Sequence, residues 1–392
     1  MTNPSRQPFE RDPFTILTYG MAVAFGFALA ALGPAMPLIR EDLDMSRTLG
    51  GLHFTALAAG SVLAGFSSER LTARWGRRLL FWAGGTGVAA GALIVGAGWH
   101  PAVTLIGSIV VGTSGALMLT TGQAALSDHH PLHRPVALTE VNTAMSLGAV
   151  VPALLIGGLA AAGAGWRPAF LAPLGIWIVL AATRRTEPFP APAPADAPAE
   201  RYRLSRSYWI YWAALIPAVG AEWSIAAWGA GFLVDVAGTA EATAALLMMG
   251  FFGAMVAGRA VGARIARQAE PPVVLATSIT VATVGALLLL IAESAFSAVI
   301  GLVVAGLGIS MLFPMLLALA MSTAPGHADA ASARAFIAGG SAVLVAPLTL
   351  GVVADTAGIR AAFGLVPALL GVLALLAVLG WRTAAASRVA NP

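Results

Sequence analysis

One carboxylate stands in the middle of an apolar run: Glu222, in Gly220-Ala221-Glu222-Trp223-Ser224-Ile225-Ala226-Ala227-Trp228. If that run crosses a bilayer, a charge at its centre costs about 2.5–3.5 kcal/mol on insertion scales. Such a group must face a wet cavity, find a partner or take up a proton. It suits a proton carrier, or a counter-ion for a cationic solute group. The structural alternative is a Glu hydrogen-bonded to backbone or to a neighbouring helix. No basic residue is expected at similar depth. Ser224 and Trp228 are four apart and share a helical face. Trp228 suits stacking on a ring or holding a cation, or anchoring at a membrane interface.

Other polar residues interrupt the apolar pattern. Glu140 and Asn142 open the fifth apolar run, Gln123 closes the fourth, and all three are candidates for a translocation path. His53 lies about a turn into the second run. It titrates near neutral pH, but a satisfied interfacial His is the expectation. The stretch Asp128-His129-His130-Pro131-Leu132-His133-Arg134 places His129 and His133 four apart, a metal-ligand spacing on a helix. Pro131 between them argues against that helix, and no metal site is expected. No cofactor is implied.

The elements that must hold these residues are membrane spans. Charged residues make up 10% of the 392-residue chain and hydrophobic ones 58%, against roughly 25% charged in a soluble domain. Twelve runs of about bilayer-crossing length follow one another: 14–38, 48–69, 79–99, 102–126, 136–162, 168–183, 207–234, 242–263, 272–292, 296–322, 333–354 and 361–382. They are long and unalternated, so helices rather than a barrel are predicted. The first is too long for a cleaved signal and reads as a retained helix. The loops are too short for a soluble catalytic domain, and no enzyme is expected.

All 22 basic residues are arginine. With a cytoplasmic N-terminus, only Arg40, Arg47, Arg167 and Arg360 fall outside, a strong positive-inside bias. Both termini are therefore expected in the cytoplasm of a bacterial inner-membrane protein. No continuous basic surface exists for nucleic acid. Cysteine is absent, which excludes disulfides and thiol chemistry.

The chain reads as two halves, 1–183 and 207–392, joined by a Pro/Ala-rich linker over 184–206 that carries five arginines. The halves repeat each other. Gly165-Trp166-Arg167-Pro168-Ala169-Phe170 returns 193 residues later as Gly358-Ile359-Arg360-Ala361-Ala362-Phe363. Pro152 and Gly157 have counterparts in Pro347 and Gly351. The stretch Gly65–Arg78 is echoed by Gly258–Arg267. Six spans per half give both halves the same topology, related by an axis along the membrane normal.

A 6+6 chain with a cytoplasmic central loop and a basic loop after span two resembles the major facilitator superfamily. The resemblance implies an all-α membrane protein of twelve transmembrane helices, arranged as two pseudo-symmetric six-helix bundles. It implies alternating access about a midplane site, and a monomer. The family's loop signature is met in Glu69-Arg70-Leu71-Thr72-Ala73-Arg74-Trp75-Gly76-Arg77-Arg78 by Arg74, Gly76, Arg77 and Arg78. Its Asp is Ala73 and its leading Gly is Glu69. A shifted charge lock between Glu69 and Arg70 or Arg74 is expected. Gly258 and Arg259 are the second-half version, and Arg334 lies near another helix end. Two signatures depart: the span-four Arg position is Ser108, and the span-five antiporter glycines are misplaced. Gly148, Gly157, Gly158 and Gly163 are read as close-contact residues.

By the same resemblance, spans one, four, seven and ten line the cavity. The lining residues are then Phe25, Phe27, Thr113, Ser114, Glu222, Ser310 and Phe313, with Pro314 breaking span ten. Asp355 is expected to pair with Arg360, and Asp235 and Glu241 to be ordinary outer-loop charges. Together these point to a secondary transporter of a small organic solute, proton-coupled through Glu222. The alternatives are an uncoupled uniporter for a sugar-like solute and a proton-coupled drug or metabolite exporter.

Overall fold

Backbone N–H and C=O groups that cannot reach water must bond within their own segment, and the apolar runs do so as α-helix. A computed structural model describes residues 9–190, 204–266, 268–324 and 328–390, with no strand among them. Most of the linker, 191–203, lies outside the described residues, as do Arg6 and Arg267.

The helices follow in order as α1 (Pro13–Asp42), α2 (Arg47–Trp75), α3 (Arg77–Ala97), α4 (Pro101–His129), α5 (Arg134–Ala161) and α6 (Ala172–Arg184). The second half adds α7 (Arg206–Ala237), α8 (Glu241–Ile265), α9 (Pro271–Leu290), α10 (Ala295–Ser322), α11 (Ala328–Ala357) and α12 (Ile359–Ala385). Among the described residues, eleven are long and apolar enough to cross a membrane. The exception is α6, which is preceded by a 3-10 turn over Arg167–Leu171. As predicted, α10 is interrupted, between Ile309 and Leu312. Pro314 has no N–H to give the carbonyl four residues back, that of Ser310.

The chain packs as two compact units. One comprises Met1–Ala31, Ala56–Leu155 and Ala162–Glu200. The other comprises Leu32–Thr55, Ile156–Ala161 and Arg201–Pro392. The end of α1 and the start of α2 thus pack with the second-half helices.

The internal repeat has a structural purpose. Arg167 donates from Nη1 to the carbonyls of Gly96 (3.0 Å) and Gly98 (2.6 Å) at the end of α3. In the second half, Arg360 donates to Leu290 O (2.6 Å) and Ala292 O (2.7 Å) at the end of α9. Each arginine satisfies carbonyls that a helix C-terminus leaves open, and each opposes the negative end of its dipole. Gly165 and Gly358 hold positive φ (73° and 82°) at the turn, and Phe170 and Phe363 are buried. Arg360 is therefore not the partner of Asp355, which corrects the expected pairing.

Among the span-five glycines, Gly148 lets α5 meet the α1 backbone at Val23, and Gly157 lies against Leu246. Gly158 has open space beside it, and Gly163 serves a positive φ of 78° instead.

Candidate functional site

Glu222 stands near the centre of the 32-residue α7 and is not alone. Arg259 of α8 brings Nη2 to 3.8 Å from its Oε1, with side chains 21% and 41% exposed for Glu and Arg. The expectation of no base at similar depth is corrected. At 3.8 Å the contact is coulombic rather than a hydrogen bond. Local packing puts Arg259 there. Gly258 has no side chain, so α8 lies directly on Ser310 of α10, and the next residue projects toward α7. Arg259 thus serves inside the second-half unit rather than as a loop-end residue.

Other predicted residues sort around this pair. Phe313 is partly exposed, and it and Val219 each lie 3.8 Å from where a Cβ on Gly339 would sit. Val219 is one turn before Glu222, so Phe313 borders the same region. Ser224 and Trp228 do not line a cavity. Ser224 is fully buried, and its Oγ has no hydrogen-bond partner among the described residues. Trp228 is buried, donates from Nε1 to Pro347 O at 2.8 Å and packs on Gly50 and Gly351. Ser310 is buried with its Oγ donating to Leu307 O (2.6 Å), which removes it from the lining.

Trp223 and Trp212 were missed by the sequence reading. Both are partly exposed on α7, on the face that carries Ile216 and Ala226. Trp212 donates from Nε1 to Arg334 O at 2.8 Å. Their spacing of eleven residues, three helical turns, was the available signal.

In the first-half unit, Gln123 donates to Asn142 Oδ1 (3.3 Å), and Asn142 donates to Leu138 O (2.7 Å), both on exposed surface. Two helices so present one amide pair. Thr113 is partly exposed and bonds its own helix at Ile109 O (2.9 Å), beside Gly60 of α2. Ser114 packs against Gly84 and Gly87 of α3 and faces that helix rather than a cavity. Phe25 and Phe27 are buried, and Phe25 fills the space beside Gly115. Three expected lining residues of this half are therefore packing residues.

The loop signature is only partly engaged. Arg77 Nη1 meets Asp128 Oδ2 at 2.6 Å with both side chains mostly buried. Arg78 donates to Arg185 O at 2.5 Å. Gly76 turns with φ 79°, which only glycine adopts freely. Glu69, Arg70 and Arg74 are exposed and make no ion pair among the described residues, so the shifted lock is not formed. Glu140 is held by Arg11 through two bonds (2.6 and 2.8 Å) and by Tyr19 (3.0 Å). Bonding to Glu140 raises the Arg11 pKa further.

Beside them, Asp12 accepts from Thr15 N–H (2.9 Å) and contacts His129 Nε2, while His130 Nε2 lies 2.7 Å from Thr15 Oγ1. Burial pushes the Asp12 carboxyl up, but the bonds from Thr15 and His129 outweigh it and hold it below its usual range. Burial and then the neighbouring His129 lower the His130 pKa. His53 is buried and donates from Nδ1 to Leu49 O at 2.9 Å, the satisfied histidine expected.

Asp235 is not the ordinary outer-loop charge expected, and Asp355 meets Arg47 in place of Arg360. Arg47 Nη2 meets Asp235 at 2.6 Å and its Nη1 lies 3.9 Å from Asp355.

The long apolar helices of the described residues define a polytopic membrane protein. The sequence pattern of the Major Facilitator Superfamily matches residues 18–347, and the chain belongs to that family. An uncharacterised MFS-type transporter of Yersinia pestis is 24% identical over 359 residues, covering 88% of this chain and 90% of that one. The glucose transporter GlcP of Staphylococcus epidermidis is 25% identical over 143 residues, 36% of this chain and 32% of that one. The crystal structure of a D-xylose–proton symporter superposes with TM-score 0.77 at 13% identity, covering 95% of this chain and 97% of that one. The chain is an integral membrane protein that carries a solute and is not an enzyme.

Proposed function

We propose that the chain moves a small, uncharged or amphipathic organic solute by alternating access, coupled to protons through Glu222. The observation that carries this is the Glu222–Arg259 pair, 3.8 Å apart in the second-half helices. Ionised Glu222 neutralises Arg259. A proton on Glu222 removes that attraction. The pair therefore has two charge states that a change of access can expose in turn. No gradient-independent energy source is implied by any motif.

Within the second-half unit, partly exposed Trp212, Trp223 and Phe313 offer aromatic faces. Such faces suit stacking on a sugar-like ring. The named substrates of the glucose transporter and of the xylose–proton symporter are of that kind. The protein is read as lying in the bacterial inner membrane with both termini cytoplasmic, on the arginine bias. The test is uptake into proteoliposomes from a panel of sugars, amphipathic cations and small acids. An imposed pH gradient should accelerate uptake of one class, and a protonophore should abolish the acceleration. Uptake indifferent to the gradient supports the uniporter instead.

A further inference from the structure

We propose that Asp12, His129 and His130 form a binding site for a divalent transition-metal ion of the Zn2+ type. Their ligand atoms all lie within 4.8 Å of one another. The site is separate from Glu222 and Arg259 and plays no part in the solute reading above.

The chain builds this cluster from two helix ends. Asp12 precedes α1 and caps it: Oδ1 accepts from Thr15 N–H, while Oδ2 faces His129. His129 is the last residue of α4. His130 ends the helix, its N–H bonded to Leu126 O at 3.1 Å. Pro131 stops the helix from continuing, so His133 does not take the i+4 position. The two adjacent rings instead converge, with centroids 4.7 Å apart. Phe9 flanks His130 at 4.8 Å and Phe14 flanks His129 at 5.3 Å. His130 Nε2 rests 2.7 Å from the Thr15 hydroxyl.

Two imidazoles and one carboxylate are the donor set of Zn2+, Co2+ and Ni2+ rather than of Mg2+ or Ca2+. Tetrahedral bonds of about 2.0–2.2 Å require ligand atoms roughly 3.3–3.5 Å apart. Asp12 and His129 are already in contact, and both side chains are about one-third exposed. Closure asks only for a rotation of the His130 ring and a small shift of the carboxylate. Three protein ligands leave a position for water, as in exchangeable rather than closed structural sites. A bound ion would tie the start of α1 to the end of α4.

The test uses tag-free, chelator-treated full-length protein in detergent, titrated with CoCl2 and followed by visible absorption. ZnCl2 titration by calorimetry runs beside it. One Co2+ should bind with a tetrahedral spectrum. Asp12→Asn, which keeps the shape of the cap, and His129→Ala should each weaken binding by at least about tenfold. His133→Ala should leave it unchanged. Each variant is first shown monodisperse and helical, and Asp12→Glu, which retains a carboxylate, should recover part of the affinity. No binding by the wild type would overturn the proposal. So would equal binding by wild type, Asp12→Asn and His129→Ala, or loss confined to His133→Ala.

Discussion

Asp355, near the end of α11, caps the start of α2 at Thr48. Its Oδ2 accepts from Thr48 N–H and from Thr48 Oγ1, both at 2.7 Å, and Oδ1 accepts from Arg47 N–H at 2.9 Å. An N-cap is normally supplied by the helix's own preceding residue. Here a residue 307 positions away adds to Ser46, which bonds Leu49 N–H. Its negative charge also meets the positive end of α2. Asp355→Ala should cost about 1–2 kcal/mol at this helix end. Hydrogen exchange at the Arg47 and Thr48 amides should then accelerate about 5–30-fold. Asp355→Asn, which still accepts, should fall between. Unchanged exchange in Asp355→Ala would show that the cap contributes nothing.

Arg77 and Asp128 meet with 16% and 15% of their side chains exposed. Replacing Asp128 by Ala strands a mostly buried guanidinium and should cost about 2–4 kcal/mol. Removing both charges, Arg77→Gln with Asp128→Asn, should cost less than the single change. Glu69→Gln, at an exposed position, should stay within about 0.5 kcal/mol. Denaturant titration of wild type and these variants gives the ranking.

Ser224 and Trp228 differ although they share a face. The Ser224 hydroxyl is buried and unpartnered among the described residues, so Ser224→Ala should leave stability unchanged or raise it by up to about 1 kcal/mol, with transport retained. Trp228→Phe loses the bond to Pro347 O and leaves space beside Gly351. It should cost about 1–3 kcal/mol. A Ser224→Ala variant that folds well and fails to transport would return this residue to the solute path.

The cluster of Asp12, His129 and His130 predicts an acid-labile helix end. His130 has its pKa lowered from the ordinary 6.5. The unfolded segment therefore binds more protons just below that pH, and stability falls as pH drops through 6.5. Asp12 is likewise lowered, from 3.8, so its contribution is present above that pH and lost below it. Amide exchange at Thr15 and His130 should therefore rise on acidification from about pH 7.5 to about 5.5, and His130→Gln should flatten the rise. Exchange independent of pH, after correction for its intrinsic chemistry, would contradict this.

Local signals make the architecture legible in the sequence. Hydropathy runs mark the twelve helical segments, and the Gly-x-Arg repeat marks the two halves. What that repeat does is not legible, because the carbonyls that Arg167 and Arg360 bind lie about 70 residues upstream. The position of Glu222 is readable from the cost of a charge in an apolar helix, but its partner is not. Arg259 sits where a loop signature places it, and only helix packing at Gly258 turns it toward α7. Proximity in sequence points Asp355 to Arg360, whereas Arg47, 308 residues away, holds it. Ser114, Ser310, Phe25 and Phe27 pack against neighbouring helices instead of facing a cavity, because the resemblance names helices and not faces.

The solute-evoked pH change in proteoliposomes, measured for wild type beside Glu222→Gln, bears most directly on the coupling role of the Glu222–Arg259 pair. Glutamine keeps the shape and cannot carry the proton. Wild type should alkalise or acidify the lumen when its solute is added. Glu222→Gln should exchange labelled solute against unlabelled with the pH signal lost. A pH change of wild-type size in Glu222→Gln would place proton coupling elsewhere in the chain.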